Sequence, residues 1–245
     1  MNRADGRKIN QLRPLSLTPR IFEYADGSVL FELGKTKILC AVTRNKDVPV
    51  FLRGKGEGWL TAEYGLLPAS TSVRSPREAV TGRRNGRAME ISRLIGRALR
   101  CVVDLKKFGE YTITIDCDVL QADGGTRCAA ICAAQAALNL AVNKWLEAGI
   151  IKESILTTQI AAVSVGLEDD GSRVLLDLDA GEDNGIGGDF NFVLTTDNKI
   201  VEIQGTAELG AISWEKFEEM RVLAAVGTKK ISDFITMQTK PVLRP

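Results

Sequence analysis

The run Tyr111-Thr112-Ile113-Thr114-Ile115-Asp116-Cys117-Asp118-Val119-Leu120-Gln121-Ala122-Asp123-Gly124-Gly125-Thr126-Arg127 decides the fold class of this chain. Tyr111 to Val119 alternates with period two and is rich in β-branched residues, which predicts a strand with one buried face. From Cys128 to Ala148 the residues favour a long, alanine-rich helix instead. The glycine pair between them lets backbone approach a ligand with no Cβ in the way. The free N–H groups and positive dipole end of the following helix favour negative charge. Thr126 adds a hydroxyl, and Arg127 a planar guanidinium that grips phosphate bidentately. The turn matches neither standard phosphate-loop pattern. Taken alone, it reads equally as an oxyanion site or as an ordinary strand-to-helix connection with a surface arginine.

Absences narrow the chemistry. The 245 residues contain no histidine, which removes Ser-His-Asp and Cys-His nucleophile systems, histidine-ligated zinc and an imidazole general base. Arginine, carboxylate and backbone remain. That inventory suits a reaction whose nucleophile arrives already ionised, such as attack by inorganic phosphate, where positioning and charge neutralisation matter more than a strong base. Lys+Arg 32 against Asp+Glu 31 confines any nucleic-acid binding to a local basic patch. The five cysteines lack paired C-x-x-C spacing, which argues against a disulfide framework and a zinc ribbon and for a reduced cytoplasm. Cys128 and Cys132, one helical turn apart, read as core packing. The N-terminal residues are polar and no run of 18 apolar residues occurs, so neither export nor membrane insertion is expected.

Working outward from the opening stretch, Ile21–Tyr24 and Ser28–Leu33 flank an Asp26-Gly27 turn signal, and Thr36–Thr43 supplies a third strand. Arg53 to Thr81 is long, irregular and rich in glycine, serine and proline, a composition expected of a functional loop. Arg87–Asp104 carries an apolar stripe at helical spacing. Gln159–Glu168, Val174–Asp179, Asn191–Thr195 and Ile200–Gln204 read as strands, the last two joined at Asp197-Asn198. Trp214–Val226 and Lys229–Gln238 read as two terminal helices. This order favours an α+β fold with mixed β-sheets packed with helices over a doubly wound parallel sheet. With 44% hydrophobic content, residues 1–245 can form one domain, a core of about 1–150 packed intimately with a half of about 151–245.

Two further clusters carry chemistry. Arg74, Arg77, Arg83, Arg84, Arg87, Arg93, Arg97 and Arg100 crowd into 27 positions with only Glu78 and Glu90 among them. A solvated helix face is the ordinary explanation of such charge. The sparse carboxylates and the irregular preceding loop point instead to a phosphate-rich partner. The segment Asp177-Leu178-Asp179-Ala180-Gly181-Glu182-Asp183-Asn184-Gly185-Ile186-Gly187-Gly188-Asp189 interleaves carboxylates with glycines. It reads as a solvated acidic loop or as a magnesium site, for which Asp183 and Asp189 suffice because Mg²⁺ takes one or two carboxylates plus water and substrate oxygens.

At this point the residues carry a resemblance. Gln11-Leu12-Arg13-Pro14, Gly58-Trp59-Leu60-Thr61-Ala62-Glu63-Tyr64, Gly86-Arg87 with Glu90-Ile91-Ser92-Arg93-Leu94-Ile95-Gly96-Arg97, Asp116 to Arg127, and Glu202-Ile203-Gln204-Gly205-Thr206-Ala207-Glu208 resemble the signature blocks of the ribonuclease PH family. The resemblance implies a ribosomal protein S5 domain 2-like fold with a β-β-β-α-β-α core. It implies a phosphate-dependent 3′→5′ exoribonuclease, or tRNA nucleotidyltransferase, that trims tRNA precursors and other structured RNAs such as rRNA, uses Mg²⁺ and releases nucleoside diphosphates. It further implies a cytoplasmic homohexamer built as a trimer of dimers. Arg87, Thr126 and Arg127 become phosphate ligands, with Gly125 supplying backbone. Arg87, Arg127, Asp183 and Asp189 become the catalytic set, and Asp183 and Asp189, six residues apart, hold the metal. Arg74, Arg77 and Arg93 fall where the family presents arginines to RNA or phosphate, with Arg97 of the same cluster. Ala69 stands where the family commonly has arginine, Ala180 replaces the usual tyrosine, and Asn184 to Gly188 is more glycine-rich than usual. Two alternatives have distinct signatures. A non-catalytic RNA-binding ring subunit of an exosome-like assembly would lose the phosphate or metal residues, and a small-molecule kinase of related fold would need a glycine-serine-rich ATP loop.

Overall fold

Alternating burial builds the first sheet. In the computed structural model, which describes residues 3–83, 85–183 and 185–241, strand β5 (Thr112–Gln121) turns Ile113, Ile115, Cys117 and Val119 inward. It sits between β3 (Thr36–Asn45), antiparallel, and β4 (Trp59–Leu66), parallel. With β1 (Leu15–Pro19) and β2 (Gly27–Leu33) the order is β1-β2-β3-β5-β4. The short α1 (Glu78–Thr81) and the fifteen-residue α2 (Gly86–Arg100) follow β4. Ile91, Leu94, Ile95, Ala98 and Leu99 of α2 are buried, and the helix packs on β4.

Helix α3 (Thr126–Glu147) is buried almost all round, as expected of a helix apolar on every face. Its small alanines allow close approach on two sides, to β2 and β3 and to β6 (Ile160–Glu168) of a second sheet. That sheet is antiparallel, with order β7-β6-β8-β9, adding β7 (Val174–Leu176), β8 (Ile186–Thr195) and β9 (Ile200–Ala207). The single turn α4 (Ala180–Asp183) lies between β7 and β8, and α5 (Trp214–Gln238) covers the second sheet. One continuous apolar core runs from Leu17 to Ile235. The α+β expectation with mixed sheets holds.

Several expected boundaries move. Ile21–Tyr24 is not a strand. The hairpin partner of β2 is β1, which sets Leu17 opposite Phe31, whereas Phe22 and Tyr24 are exposed and offer no inward face. Residues 53–81 are not irregular throughout, since Leu60, Ala62 and Tyr64 alternate into the core as β4. β7 stops at Leu176 because Asp177 adopts the left-handed region (φ 58°). β8 begins at Ile186, so Asp189 lies within a strand opposite Gly166 and Thr206 rather than in a loop. The two terminal helices are one. At the expected break, Gly227 continues the helix and gives room to Leu176, whose Cδ1 would lie 2.7 Å from any added Cβ.

Candidate active site

The glycine turn is built by two left-handed residues, Gly124 (φ 78°) and Gly125 (φ 63°), the second capping α3. A Cβ on Gly124 would meet the carbonyl carbon of Asp179 at 2.6 Å, so the turn is pressed directly against the acidic loop. Thr36 donates its hydroxyl to the Gly124 carbonyl (2.8 Å), and Arg13 donates to the carbonyls of Asp123 and Gly124. No side chain caps α3, leaving its first N–H groups available to an anion.

The two arginines and the two aspartates share one neighbourhood. Arg87, second residue of α2, is exposed beside the Asn85 cap. Arg127 donates through Nη2 to Glu90 (3.3 Å), while its Nε is buried with no partner among the described residues. The Tyr64 phenol, raised above its ordinary value by burial, feels the charges of both arginines, as does Asp189. Burial, and after it the nearby Asp183, push the Asp189 carboxyl up to about 6. Asp189 Oδ2 accepts from Asn191 Nδ2 (3.3 Å), but Oδ1 is buried without a partner among the described residues. Asn191 is itself oriented by Cys128, which burial keeps protonated and which donates to Asn191 Oδ1 (3.0 Å). Asp183, at the end of α4, and Asp189 line a cleft of about 480 Å³ with Asp169 and Glu208. Among the described residues no cluster of three or more metal-ligating side chains occurs. An orphaned buried carboxylate oxygen facing a second carboxylate fits a hard cation that completes its shell with water and substrate oxygens.

What sequence patterning missed is the clasp beneath this loop. Arg3, Arg7 and Arg13 are all buried, around an Asp177 only 1% exposed. Arg13 grips both Asp177 oxygens through Nε (3.1 Å) and Nη2 (2.8 Å), and the carboxylate holds the Arg13 charge against the cost of burial. Arg3 donates to the Asp177 carbonyl (2.8 Å) and pairs with Glu182, the residue before Asp183. The available signal was three arginines within thirteen residues of a polar N-terminus. Gly187 and Gly188 likewise serve packing, because a Cβ on Gly188 would lie 2.6 Å from Ile212 Cδ1.

Of the expected RNA-binding arginines, Arg74, Arg77 and Arg93 are exposed and have no ion pair among the described residues. Arg97 is held in a bidentate pair by Glu202 of β9, a carboxylate far outside the sequence window that made the cluster look unpaired. Arg100 serves the fold, stacking 4.7 Å over Trp59 and donating to the Leu60 carbonyl (2.8 Å). Arg84 and Asn184 lie outside the described residues.

This architecture has known relatives. The chain belongs to the 3′ exoribonuclease family, domain 1 of which matches residues 11–144 and domain 2 residues 158–227. Within that family it is similar to ribonuclease PH. The Neisseria meningitidis serogroup C protein of that name is 49% identical over 233 residues, 95% of this chain and 94% of the relative. The serogroup A protein matches with the same identity and coverage. Among solved structures, rice (Oryza sativa) Rrp46 superposes with a TM-score of 0.77 at 24% identity, covering 97% of this chain and 100% of that one. An Archaeoglobus fulgidus exosome with RNA bound to the active site gives a TM-score of 0.79 at 20% identity, with 95% and 92% covered. These two likenesses establish the shared fold.

Proposed function

We propose that this chain is a phosphate-dependent 3′→5′ exoribonuclease with tRNA nucleotidyltransferase activity, working at the turn between β5 and α3. Family membership and 49% identity to ribonuclease PH support the activity. The observation that carries the site assignment is a pair of buried orphans, the donor Arg127 Nε and the acceptor Asp189 Oδ1, beside a helix start with open N–H groups. Such groups cost free energy unless a ligand satisfies them.

Arg87, Arg127, the Thr126 hydroxyl and the N–H groups of Gly125 and Thr126 hold inorganic phosphate in line with the last phosphodiester. A phosphate oxygen attacks phosphorus, the bond to the neighbouring nucleotide's 3′ oxygen breaks, and the terminal residue leaves as a nucleoside diphosphate. The protein supplies orientation and charge neutralisation, which phosphoryl-transfer chemistry chiefly demands. Asp183 and Asp189 would hold Mg²⁺, which when bound offsets negative charge on the scissile group. Arg74, Arg77 and Arg93 contact the RNA backbone, with Arg97 set beside them by Glu202. The substrates are tRNA precursor 3′ ends and other structured RNAs, including rRNA. Residues 1–245 act as one domain. The expected setting is the cytoplasm, which the five free thiols suit.

The deciding assay incubates the protein with a tRNA bearing extra 3′ nucleotides, with and without phosphate. Nucleoside diphosphates should appear only with phosphate. Monophosphates released at an undiminished rate in phosphate-free buffer would overturn the reading. The homohexamer, a trimer of dimers, rests on the family resemblance. Light scattering should return the mass of six chains, and a monomer at assay concentration would remove that part.

A further inference from the structure

Thr126 opens α3 and is buried, at 8% exposure. The phenol of Tyr64, itself 6% exposed on the inward face of β4, donates to Thr126 Oγ1 at 3.0 Å. A hydroxyl has one hydrogen and two lone pairs. Once Thr126 accepts from Tyr64, its own hydrogen remains to be given elsewhere, and among the described residues no protein atom takes it. The phenol is the donor in this bond, and burial keeps it protonated against the opposing influence of Thr126 and the charges of Arg87 and Arg127. The phenol thus lies near enough to both arginines for their charges to act on it.

We infer that Tyr64 is a positioning residue for inorganic phosphate: its phenol, donating to Thr126 Oγ1, aims the Thr126 hydrogen at the anion held between Arg87 and Arg127. The inference rests on the phosphate site proposed above. Without the phenol, the Thr126 hydroxyl can rotate and spend its hydrogen on water instead. The consequence falls on phosphate binding and spares the RNA contacts, because the phenol's hydrogen bond goes to Thr126 and not to Arg74, Arg77 or Arg93.

The test is a double-mutant cycle read by phosphate kinetics. Tyr64→Phe should raise KM for phosphate about five- to tenfold, equivalent to about 1–1.4 kcal/mol, while kcat at saturating phosphate and KM for RNA stay within about twofold. Thr126→Val should raise KM for phosphate at least as much, and adding Tyr64→Phe to it should change nothing further. Thr126→Ser, which keeps an acceptor for the phenol, should restore near-normal KM. Stabilisation by inorganic phosphate, measured as the rise above each variant's own Tm, gives the same comparison if Tyr64→Phe weakens the fold. An unchanged KM in Tyr64→Phe beside a raised KM in Thr126→Val would overturn the inference alone. So would an equal effect of Tyr64→Phe in both backgrounds, the mark of general packing. An unchanged KM in Thr126→Val would instead overturn the phosphate site itself.

Discussion

Arg127→Ala is expected to lower kcat/KM for phosphorolysis by about a hundred- to a thousandfold, the usual size for loss of a preorganised donor aimed at developing anionic charge. The reason is geometric. Glu90 occupies Nη2 of this guanidinium, and the buried Nε is left to point at something absent from the protein. A charge-assisted bond to an anion contributes about 1.5–3 kcal/mol, and a guanidinium can make two of them at once. Arg127→Lys should not restore activity, since an ammonium keeps the charge but loses the planar fork. Arg87 is more exposed, so Arg87→Ala should cost less, about ten- to a hundredfold, through a weakened response to phosphate concentration. Both variants should fold. Steady-state kinetics across a phosphate titration, with a thermal melt beside them, decide the matter. An unfolded Arg127→Ala, or one whose rate depends on phosphate as before, would remove this residue from the site.

Asp189→Asn should separate activity from stability. Turnover should collapse by at least about a hundredfold, because one of the two carboxylates assigned to the metal loses its charge, while RNA binding by the exposed arginines persists. Metal-free stability should move the other way. Asp189 has a folded pKa of about 6 against an ordinary 3.8. Its contribution to stability is therefore full below about pH 4 and is lost as pH rises through about 6. At pH 8 the buried, partly unsatisfied carboxylate burdens the metal-free protein by up to about 2–3 kcal/mol. Asparagine removes that burden at nearly constant volume. In chelator at pH 8 the variant should melt above the parent, with the difference vanishing near pH 4. Magnesium should raise the parent's Tm and leave the variant's unchanged. Equal melting curves at pH 8, with near-normal single-turnover rates and an unchanged metal midpoint, would return Asp183 and Asp189 to an ordinary acidic loop. Asp183→Asn should share the loss of turnover with a smaller stability gain, since it removes only the lesser cause of the raised Asp189 pKa and leaves the burial of Asp189 in place.

The residues of both predictions were legible from short-range sequence. A strand of period two, two glycines at left-handed positions and an alanine-rich helix are each set by neighbours within a few residues, where backbone sterics and hydrogen bonding operate. Gly124, Gly125, Thr126 and Arg127 therefore mark a candidate anion turn, equally readable as an ordinary connection, before any contact is known, and the missing histidine narrows the chemistry open to it. β4 was hidden because Thr61 and Glu63 dilute a short apolar alternation that shows only once Leu60, Ala62 and Tyr64 face the core. The Gly227 break failed for a related reason. Its helical cost is offset by packing on Leu176, a residue 51 positions away.

Side-chain partnership is the part no local pattern encodes. Arg13 meets Asp177 across 164 residues and Arg3 meets Glu182 across 179. Arg97 finds Glu202 across 105, so a cluster that looked uncompensated along the chain is partly compensated in space. The same holds for the bond from Tyr64 to Thr126, which joins two blocks 62 residues apart. Local pattern was enough for most of the strands and helices and for the glycine turn with its arginine, because these depend on torsion angles and periodicity. Only packing fixes which arginines remain open to a ligand, which are consumed in holding the acidic loop against the glycine turn, and which hydroxyl the Tyr64 phenol meets. Those outcomes depend on which buried charge or hydrogen-bonding group each side chain meets, and only the packed fold brings such groups together.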